Sequence, residues 1–200
     1  MTARETQRGP RADAVRNREA VLAAADALFA RSESPRSVSM DDVAAAAGVG
    51  KGTLFRRFGD RTGLIRAVVE ARTGSLREAV ESGPPPLGPD TPPRERVPAL
   101  LDALLRFKLD HRHLALALEE AGAGSPYAAG HYGWWHDVLA DALRRLPGGD
   151  GGGDDASFTA HALLAAVRAD LVEHLVGERG QDPERLRAAL AAHVRRVLGD

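Results

Sequence analysis

The sequence contains no cysteine, and only 4% of its 200 residues are aromatic. Without cysteine the chain can form no disulfide and no thiolate metal site, and it has no thiol nucleophile. No segment approaches the roughly 18 consecutive apolar residues of a membrane-spanning helix. The first residues include arginine but no apolar stretch of the kind that a signal peptide requires. We therefore expect a cytoplasmic protein without a metal or other cofactor.

Apolar residues make up 44% of the sequence, which is ample for a hydrophobic core in one or two domains. Alanine, leucine and arginine are abundant, whereas β-branched and aromatic side chains are scarce. The first group favours helices and the second favours strands. The composition therefore predicts an all-α protein.

The charges are distributed unevenly, although the formal net charge is only −1. Residues 1–74 contain 13 Lys and Arg against 9 Asp and Glu, whereas residues 75–200 contain 14 against 19. A basic N-terminal part and an acidic remainder suit a protein that presents one end to a polyanion. Chance placement of charge is the alternative at this chain length.

Residues 37–61 predict two short helices separated by a tight turn. Ser39, with Asp42 three residues later, forms a capping-box pattern that begins a helix. Gly48 stands where a helix needs a positive φ to end, and Gly50 can cap the next helix. The inward faces of the two helices are Met40, Val43, Ala44 and Ala47, followed by Leu54 and Phe58.

The opposite face of the second helix carries the chemistry of a major-groove reader. Arg56 can donate two hydrogen bonds to guanine, and the methyl group of Thr53 can pack on thymine. Gly52 has no side chain, so the backbone can approach the duplex. An ordinary amphipathic helix pair with a solvated basic face is the alternative that spacing alone leaves open. The cations available to hold phosphates are Lys51, Arg57 and Arg61.

Residues 37–65 resemble the DNA-binding signature of TetR-type (tetracycline-repressor-like) regulators. That signature runs from a helix-capping Ser or Thr through Ala-Gly-Val to Gly-Thr-Leu-Tyr-x-His-Phe, and then to a Lys that opens the next helix. With the helix before it, the resemblance covers about the first third of the chain. The matching residues here are Ser39, Ala47, Gly48, Val49, the run from Gly52 to Phe58, and Arg61.

Three positions depart from that signature. Phe55 replaces the usual Tyr and lacks a hydroxyl that would reach a phosphate, while Arg57 and Arg61 replace His and Lys and keep or add positive charge. The operator preference therefore need not match that of any relative. The predicted DNA-binding residues are Ser39, Lys51, Gly52, Thr53, Phe55, Arg56, Arg57 and Arg61.

The helical periodicity and the resemblance together predict two domains. Residues 1–60 form a three-helix, helix-turn-helix DNA-binding domain that begins with a basic arm. Residues 61–200 form a helical effector-binding and dimerisation domain, whose first helix, residues 61–81, links the two. Six of the twelve prolines fall in residues 83–93, which we expect to be an exposed connection. The next helices are predicted at residues 94–110, 111–121 and 126–146, before a Gly/Asp loop at residues 147–155.

The last two predicted helices carry surplus apolar surface. A helix over residues 156–178 is apolar around more than one stripe and must be covered from two directions. A second helix over residues 183–198 has its own apolar stripe. Together they predict a two-fold homodimer through a four-helix bundle, an arrangement that the resemblance also implies. Paired reading heads suit a palindromic operator in double-stranded DNA.

The resemblance implies a pocket for a small-molecule effector among the middle helices. Aromatic side chains would supply its walls, and charged or imidazole groups beside the apolar stripes would anchor polar atoms. The alternative for each is a core aromatic ring, or a cation that reaches solvent. The candidates are Phe107, Tyr127, Tyr132, Trp134 and Trp135 as walls, and Lys108, His111, His136 and Arg168 as anchors.

The sequence offers no catalytic or metal-binding pattern. Residues 48–53 superficially resemble a phosphate-binding loop, but Gly52 stands where Ser or Thr must follow the lysine. His111 and His113 are two residues apart and do not share a helical face. We therefore predict a one-component transcriptional regulator, a repressor released by a small-molecule effector, and not an enzyme. The alternative is a helical small-molecule-binding protein, or an enzyme, that has lost DNA binding.

Overall fold

A computed structural model describes residues 10–32, 34–120, 127, 130–146 and 153–199, and the regular structure in these ranges is helical throughout. The prediction of an all-α protein is confirmed. The basic arm falls outside the described residues except for Pro10, as does most of the loop expected at residues 147–155. The helices are α1 (Pro10–Arg31), α2 (Met40–Ala47), α3 (Lys51–Phe58), α4 (Arg61–Ser82), α5 (Pro93–Asp110), α6 (Arg112–Glu120), α7 (Gly130–Arg144), α8 (Gly153–Ala165), α9 (Ala169–Val172) and α10 (Pro183–Leu198), with a 3₁₀ turn at Pro35–Ser37 and a π-helix at Glu173–Glu178.

The chain folds as two compact units, Met1–Ala71 and Arg72–Asp200. The division falls inside α4, so the domain boundary expected at residues 60 and 61 stays a prediction. In the first unit α1 packs on α2, and α2 packs on α3. Its core consists of fully buried apolar side chains, among them Ala25, Phe29, Val43, Leu54, Leu64 and Ile65.

The second unit is built around α5. Helices α7 and α10 pack on α5, while α8 packs on α7 and α6 packs on α9. The buried side chains come from one stripe of each helix, which is the spacing expected for amphipathic helices. Among those burying at least 99% of their surface are Val97, Leu100, Leu101, Leu105, Leu139, Leu163 and Val194.

The proline-rich segment at residues 83–93 is exposed at residues 84–86, 90 and 92, as its composition predicted, and two arginine side chains also hold it from beneath. Arg96 is buried, and it donates hydrogen bonds to the carbonyl oxygens of Leu87 and Val80, both at 3.0 Å. Arg145 donates to the carbonyl of Pro89 at 3.0 Å. Burial lowers the pKa of the Arg96 guanidinium, although the backbone carbonyls satisfy its donors.

The single helix expected over residues 156–178 is wrong, because the chain turns out of helix after Ala165. Arg168 is extended there, with φ −60° and ψ 144°, and a new helix begins at Ala169. The Ala169 N–H donates to the carboxylate of Glu119 at 2.7 Å, so a distant side chain caps the new helix. A π-helix follows from Glu173.

The predicted last helix is confirmed as α10. Asp182 caps its start by accepting a hydrogen bond from the Arg185 N–H at 3.0 Å, and Pro183 occupies the first turn. Gly199 ends it with φ 78°. In the part of the chain that the structure describes, no helix combines the length and apolar character needed to cross a membrane.

Candidate nucleic-acid interface and effector site

The entry to α2 is fixed by a reciprocal cap, as the sequence predicted. The Ser39 hydroxyl accepts a hydrogen bond from the Asp42 N–H at 3.2 Å, and the Asp42 carboxylate accepts from the Ser39 N–H at 3.0 Å. Hydrogen bonds from the Ser39 side chain and backbone lower the pKa of Asp42. This cap sets the direction in which α2 enters the first unit.

The turn between α2 and α3 depends on Gly48, which has φ 64° and ψ 32°. A side chain would be strained in this left-handed conformation, so glycine is required. The Gly48 N–H donates to carbonyls of the last turn of α2, and Gly50 then begins α3. Leu54, which is only 1% exposed, fixes the inner face of α3 in the core. The remaining faces of α3 are therefore turned outward.

The outward surface of α3 carries six of the eight residues predicted to contact DNA, whereas Ser39 caps α2 and Arg61 begins α4. Lys51, Gly52, Thr53, Arg56 and Arg57 are all exposed. A methyl group added at Gly52 would meet no other atom within 4 Å, so the helix backbone is open to solvent there. Phe55 is 40% exposed, which is unusual for so large an apolar side chain. The outward surface of α3 is thus short and cationic, it has no side chain at Gly52, and it is available to a major groove.

Two of the cations on α3 differ in how firmly they are held. Lys51 Nζ lies 2.8 Å from the Asp41 carboxylate, and both side chains are exposed. Such a surface pair contributes between about 0 and 1 kcal/mol, so a phosphate can replace the carboxylate. Arg56 makes no hydrogen bond to another described residue. It can therefore turn toward a base without breaking an internal contact.

Arg57 and Arg61 also donate hydrogen bonds to backbone carbonyls within the first unit. Arg57 Nη1 donates to the carbonyl oxygen of Ala14 in α1 at 2.7 Å. Arg61 Nε donates to the carbonyl oxygen of Val38 at 3.0 Å, and its guanidinium lies 5.7 Å from the centroid of the Phe29 ring. A guanidinium has five N–H donors. Arg57 and Arg61 can therefore contact a phosphate only through the donors that their internal hydrogen bonds leave unused.

In the second unit, two predicted anchors meet at Glu119, which is not among the residues predicted for the pocket. Lys108 Nζ lies 2.9 Å from Glu119 Oε1, and Arg168 Nη2 lies 3.6 Å from Glu119 Oε2. Glu119 Oε2 is buried without a hydrogen-bond partner among the described residues. Arg168 also holds Asp170 through two parallel hydrogen bonds of 3.0 and 2.6 Å.

This charged cluster has shifted proton affinities. Burial lowers the pKa of Lys108, and the charge of Glu119 opposes that shift. The hydrogen bonds between Arg168 and Asp170 lower the pKa of Asp170 and raise that of Arg168. The cluster pairs Lys108 and Arg168 with Glu119 and Asp170, so that a ligand with a charged group would have to exchange partners within it.

Three other predicted pocket residues meet at His161, a residue that the sequence analysis missed. Tyr132 Oη lies 2.7 Å from His161 Nδ1, and the His136 ring stacks on His161 at 4.1 Å between centroids. Tyr127 meets the same imidazole edge-on at 6.2 Å. Ser157, one turn before His161 on α8, bonds to His136 Nε2 at 3.1 Å. The helical spacing of Ser157 and His161 is the sequence signal from which His161 could have been identified.

The remaining predicted pocket residues make contacts of their own. Phe107 and His111 pack on each other at 5.0 Å between ring centroids near the end of α5. Trp134 packs beneath the Arg77 guanidinium at 4.7 Å and donates its N–H to Glu81 of α4 at 3.1 Å. Trp135 is buried against Trp134.

The sequence of the first unit has known counterparts. Residues 21–68 match the sequence model of the bacterial regulatory proteins of the tetR family. The transcriptional repressor LfrR of Mycolicibacterium smegmatis is 30% identical over 132 residues, which are 65% of each chain. The transcriptional regulator SAR0097 of Staphylococcus aureus is 31% identical over 77 residues, which are 38% of this chain and 40% of that protein. The first unit is therefore similar in sequence to the DNA-binding segment of TetR-family regulators.

The fold extends the likeness beyond the matched segment. The crystal structure of a TetR-family transcriptional regulator from Rhodococcus sp. has a TM-score of 0.66 and 25% sequence identity, and the match covers 92% of this chain and 99% of that one. The chain spans 40–65% of the length of the two curated relatives named above. The segment similar to TetR-family sequences includes the capped α2, the glycine turn and the exposed α3.

Proposed function

We propose that the protein is a one-component transcriptional regulator, a repressor, that binds double-stranded operator DNA in the cytoplasm. The outward surface of α3 carries this proposal, because its bare Gly52 backbone lies beside Arg56, a cation that no internal hydrogen bond restrains. Arginine hydrogen-bonds guanine in the major groove, and the surrounding cations attract phosphates. The proposal assigns DNA binding and no catalytic step.

A small-molecule effector would release the protein from its operator. The second unit offers two polar clusters for this role, one at Glu119 and one at His161. A ligand shifts the equilibrium between two states only by its difference in affinity for them. LfrR, to which the chain is similar, is itself a transcriptional repressor.

Operator binding would involve a homodimer on a palindromic site. Phe158 is 74% exposed on α8, and Ala162 and Ala165 follow it at helical spacing and are also exposed. Val197 is exposed on α10. These apolar positions on the two predicted dimer segments support a partner helix there, although the first segment is broken after Ala165.

Selection of bound fragments from random DNA, in the presence of heparin as a competing polyanion, tests the proposal. We expect enrichment of a palindromic sequence by the natural protein. The variant Arg56→Ala should enrich a sequence with less information at one base pair of each half-site. A helical small-molecule-binding protein that has lost DNA binding would enrich nothing. That result would overturn the proposal.

A further inference from the structure

Phe55 is the only large apolar side chain that α3 exposes to a strong degree. Leu54 is buried and Phe58 is partly buried, whereas 40% of Phe55 is exposed. Exposed aromatic surface on a short helix is costly to hydrate, and burial against another apolar group removes that cost. The exposed part of the ring is therefore available for an apolar contact outside this unit.

The neighbours of Phe55 leave room for such a contact. On a helix, residues three and four positions earlier flank a side chain. The position three residues earlier is Gly52, beside which there is open space. The position four residues earlier is Lys51, whose ammonium lies 6.0 Å from the ring centroid and is bound to Asp41. The exposed Phe55 ring thus lies about one helical turn from the open backbone at Gly52, with the Lys51 ammonium 6.0 Å away.

The chemistry of the major groove identifies an apolar partner for the exposed ring. Phe55 has no hydroxyl, so its ring can form no ordinary hydrogen bond with a phosphate or a base edge. The C5 methyl group of thymine is the apolar group that a base pair presents in the major groove. Arg56 follows directly in the sequence and can bind guanine in the same groove.

We propose that Phe55 reads a thymine in each half-site by packing its ring on the C5 methyl group, with Gly52 giving that methyl room to enter. This inference rests on the proposed DNA-binding function and adds a specificity determinant to it. Thr53, which is also exposed and carries a methyl group, is the competing reader on α3.

The test replaces each thymine of the selected operator, one at a time, by deoxyuridine, which pairs identically but lacks the methyl group. Binding is followed by fluorescence anisotropy. At one thymine of each half-site, we expect the substitution to weaken binding by the natural protein about fourfold, the effect of one buried methyl group. Phe55→Ala should bind thymine and deoxyuridine equally at that position, whereas Thr53→Ser should retain the discrimination.

Two outcomes would overturn this assignment while leaving the proposed function intact. One is an operator in which no deoxyuridine substitution affects binding. The other is a discrimination that persists in Phe55→Ala or disappears in Thr53→Ser. Failure to enrich any DNA sequence would contradict the proposed function and this assignment together. Thermal unfolding of each variant, followed by circular dichroism, verifies that the exposed substitutions leave the helices folded.

Discussion

Gly52 is the residue at which folding and the proposed function make opposite demands. Alanine in a helix is more stable than glycine by about 0.5–1 kcal/mol, and a methyl group at Gly52 meets nothing within 4 Å. Gly52→Ala should therefore raise the free energy of unfolding in urea by about that amount. It should also weaken operator binding, because the methyl group would occupy space between α3 and the bases.

Gly74 provides a matched control for that substitution. It lies in α4, and a methyl group there also meets no atom within 4 Å. Gly74→Ala should give the same gain in the urea experiment and leave operator affinity unchanged. An unchanged operator affinity in Gly52→Ala, or equal losses in both variants, would contradict a DNA-facing role for Gly52.

Arg56 and Arg61 should differ in their effect on specificity. Arg56 has no internal hydrogen bond, so Arg56→Ala should relax preference at one base pair by about 1–3 kcal/mol. Arg61 binds the Val38 carbonyl just before the cap of α2. Arg61→Ala should weaken binding to all DNA sequences, reduce its salt dependence and lower the melting temperature. Fluorescence anisotropy measures the affinity of each variant for operator DNA and for random DNA. Equal losses of affinity on both DNAs for both variants would contradict the proposed difference between Arg56 and Arg61.

At the scale of helices, the sequence predicted the features that depend on residues close together in the chain. It did not predict the features that depend on residues far apart in the chain. Ser39, Asp42 and Gly48 act within a few residues of each other, so the sequence predicted α2 and α3 with their cap and turn. The break after Ala165 depends on Glu119, which lies 50 residues before Ala169. No periodicity in the helix itself reveals such a partner. The burial of Arg96 beneath the proline-rich segment was missed for the same reason.

The contact between α5 and α10 offers a pH-dependent test. Arg187 donates two hydrogen bonds to Asp102, at 2.8 and 3.0 Å, and these lower the pKa of Asp102. A lowered carboxyl pKa stabilises the fold at neutral pH, and this contribution is lost as the pH falls through the folded-state pKa. Arg187→Ala should lower the free energy of unfolding at pH 7, and should lower it much less near pH 3.

The exposed Arg185 on the same helix is the control for that experiment. Arg185→Ala should change the free energy of unfolding by no more than about 0.5 kcal/mol at either pH. Urea unfolding at the two pH values measures both variants. A deficit in Arg187→Ala that stays constant from pH 7 to pH 3 would exclude the ion pair as its source.

At the scale of the whole molecule, Phe158 tests the proposed dimer. Its ring is 74% exposed, so Phe158→Glu should cost a single chain little stability. In a dimer through α8, the same change would bury a charge and shift the equilibrium toward monomer. Sedimentation velocity at micromolar concentration measures this shift. Val15 is another exposed apolar residue, 54% exposed, and it lies in the first unit. Val15→Glu should leave the dimer intact. A natural protein that sediments as a monomer would contradict the proposal.

The most direct test of the central claim, that α3 enters the major groove of operator DNA, is hydroxyl-radical footprinting on the selected operator. The account predicts two protected stretches, centred about 10 base pairs or a multiple of 10 apart, that weaken together in Arg56→Ala. A single protected stretch, or protection that Arg56→Ala leaves unchanged, would contradict it.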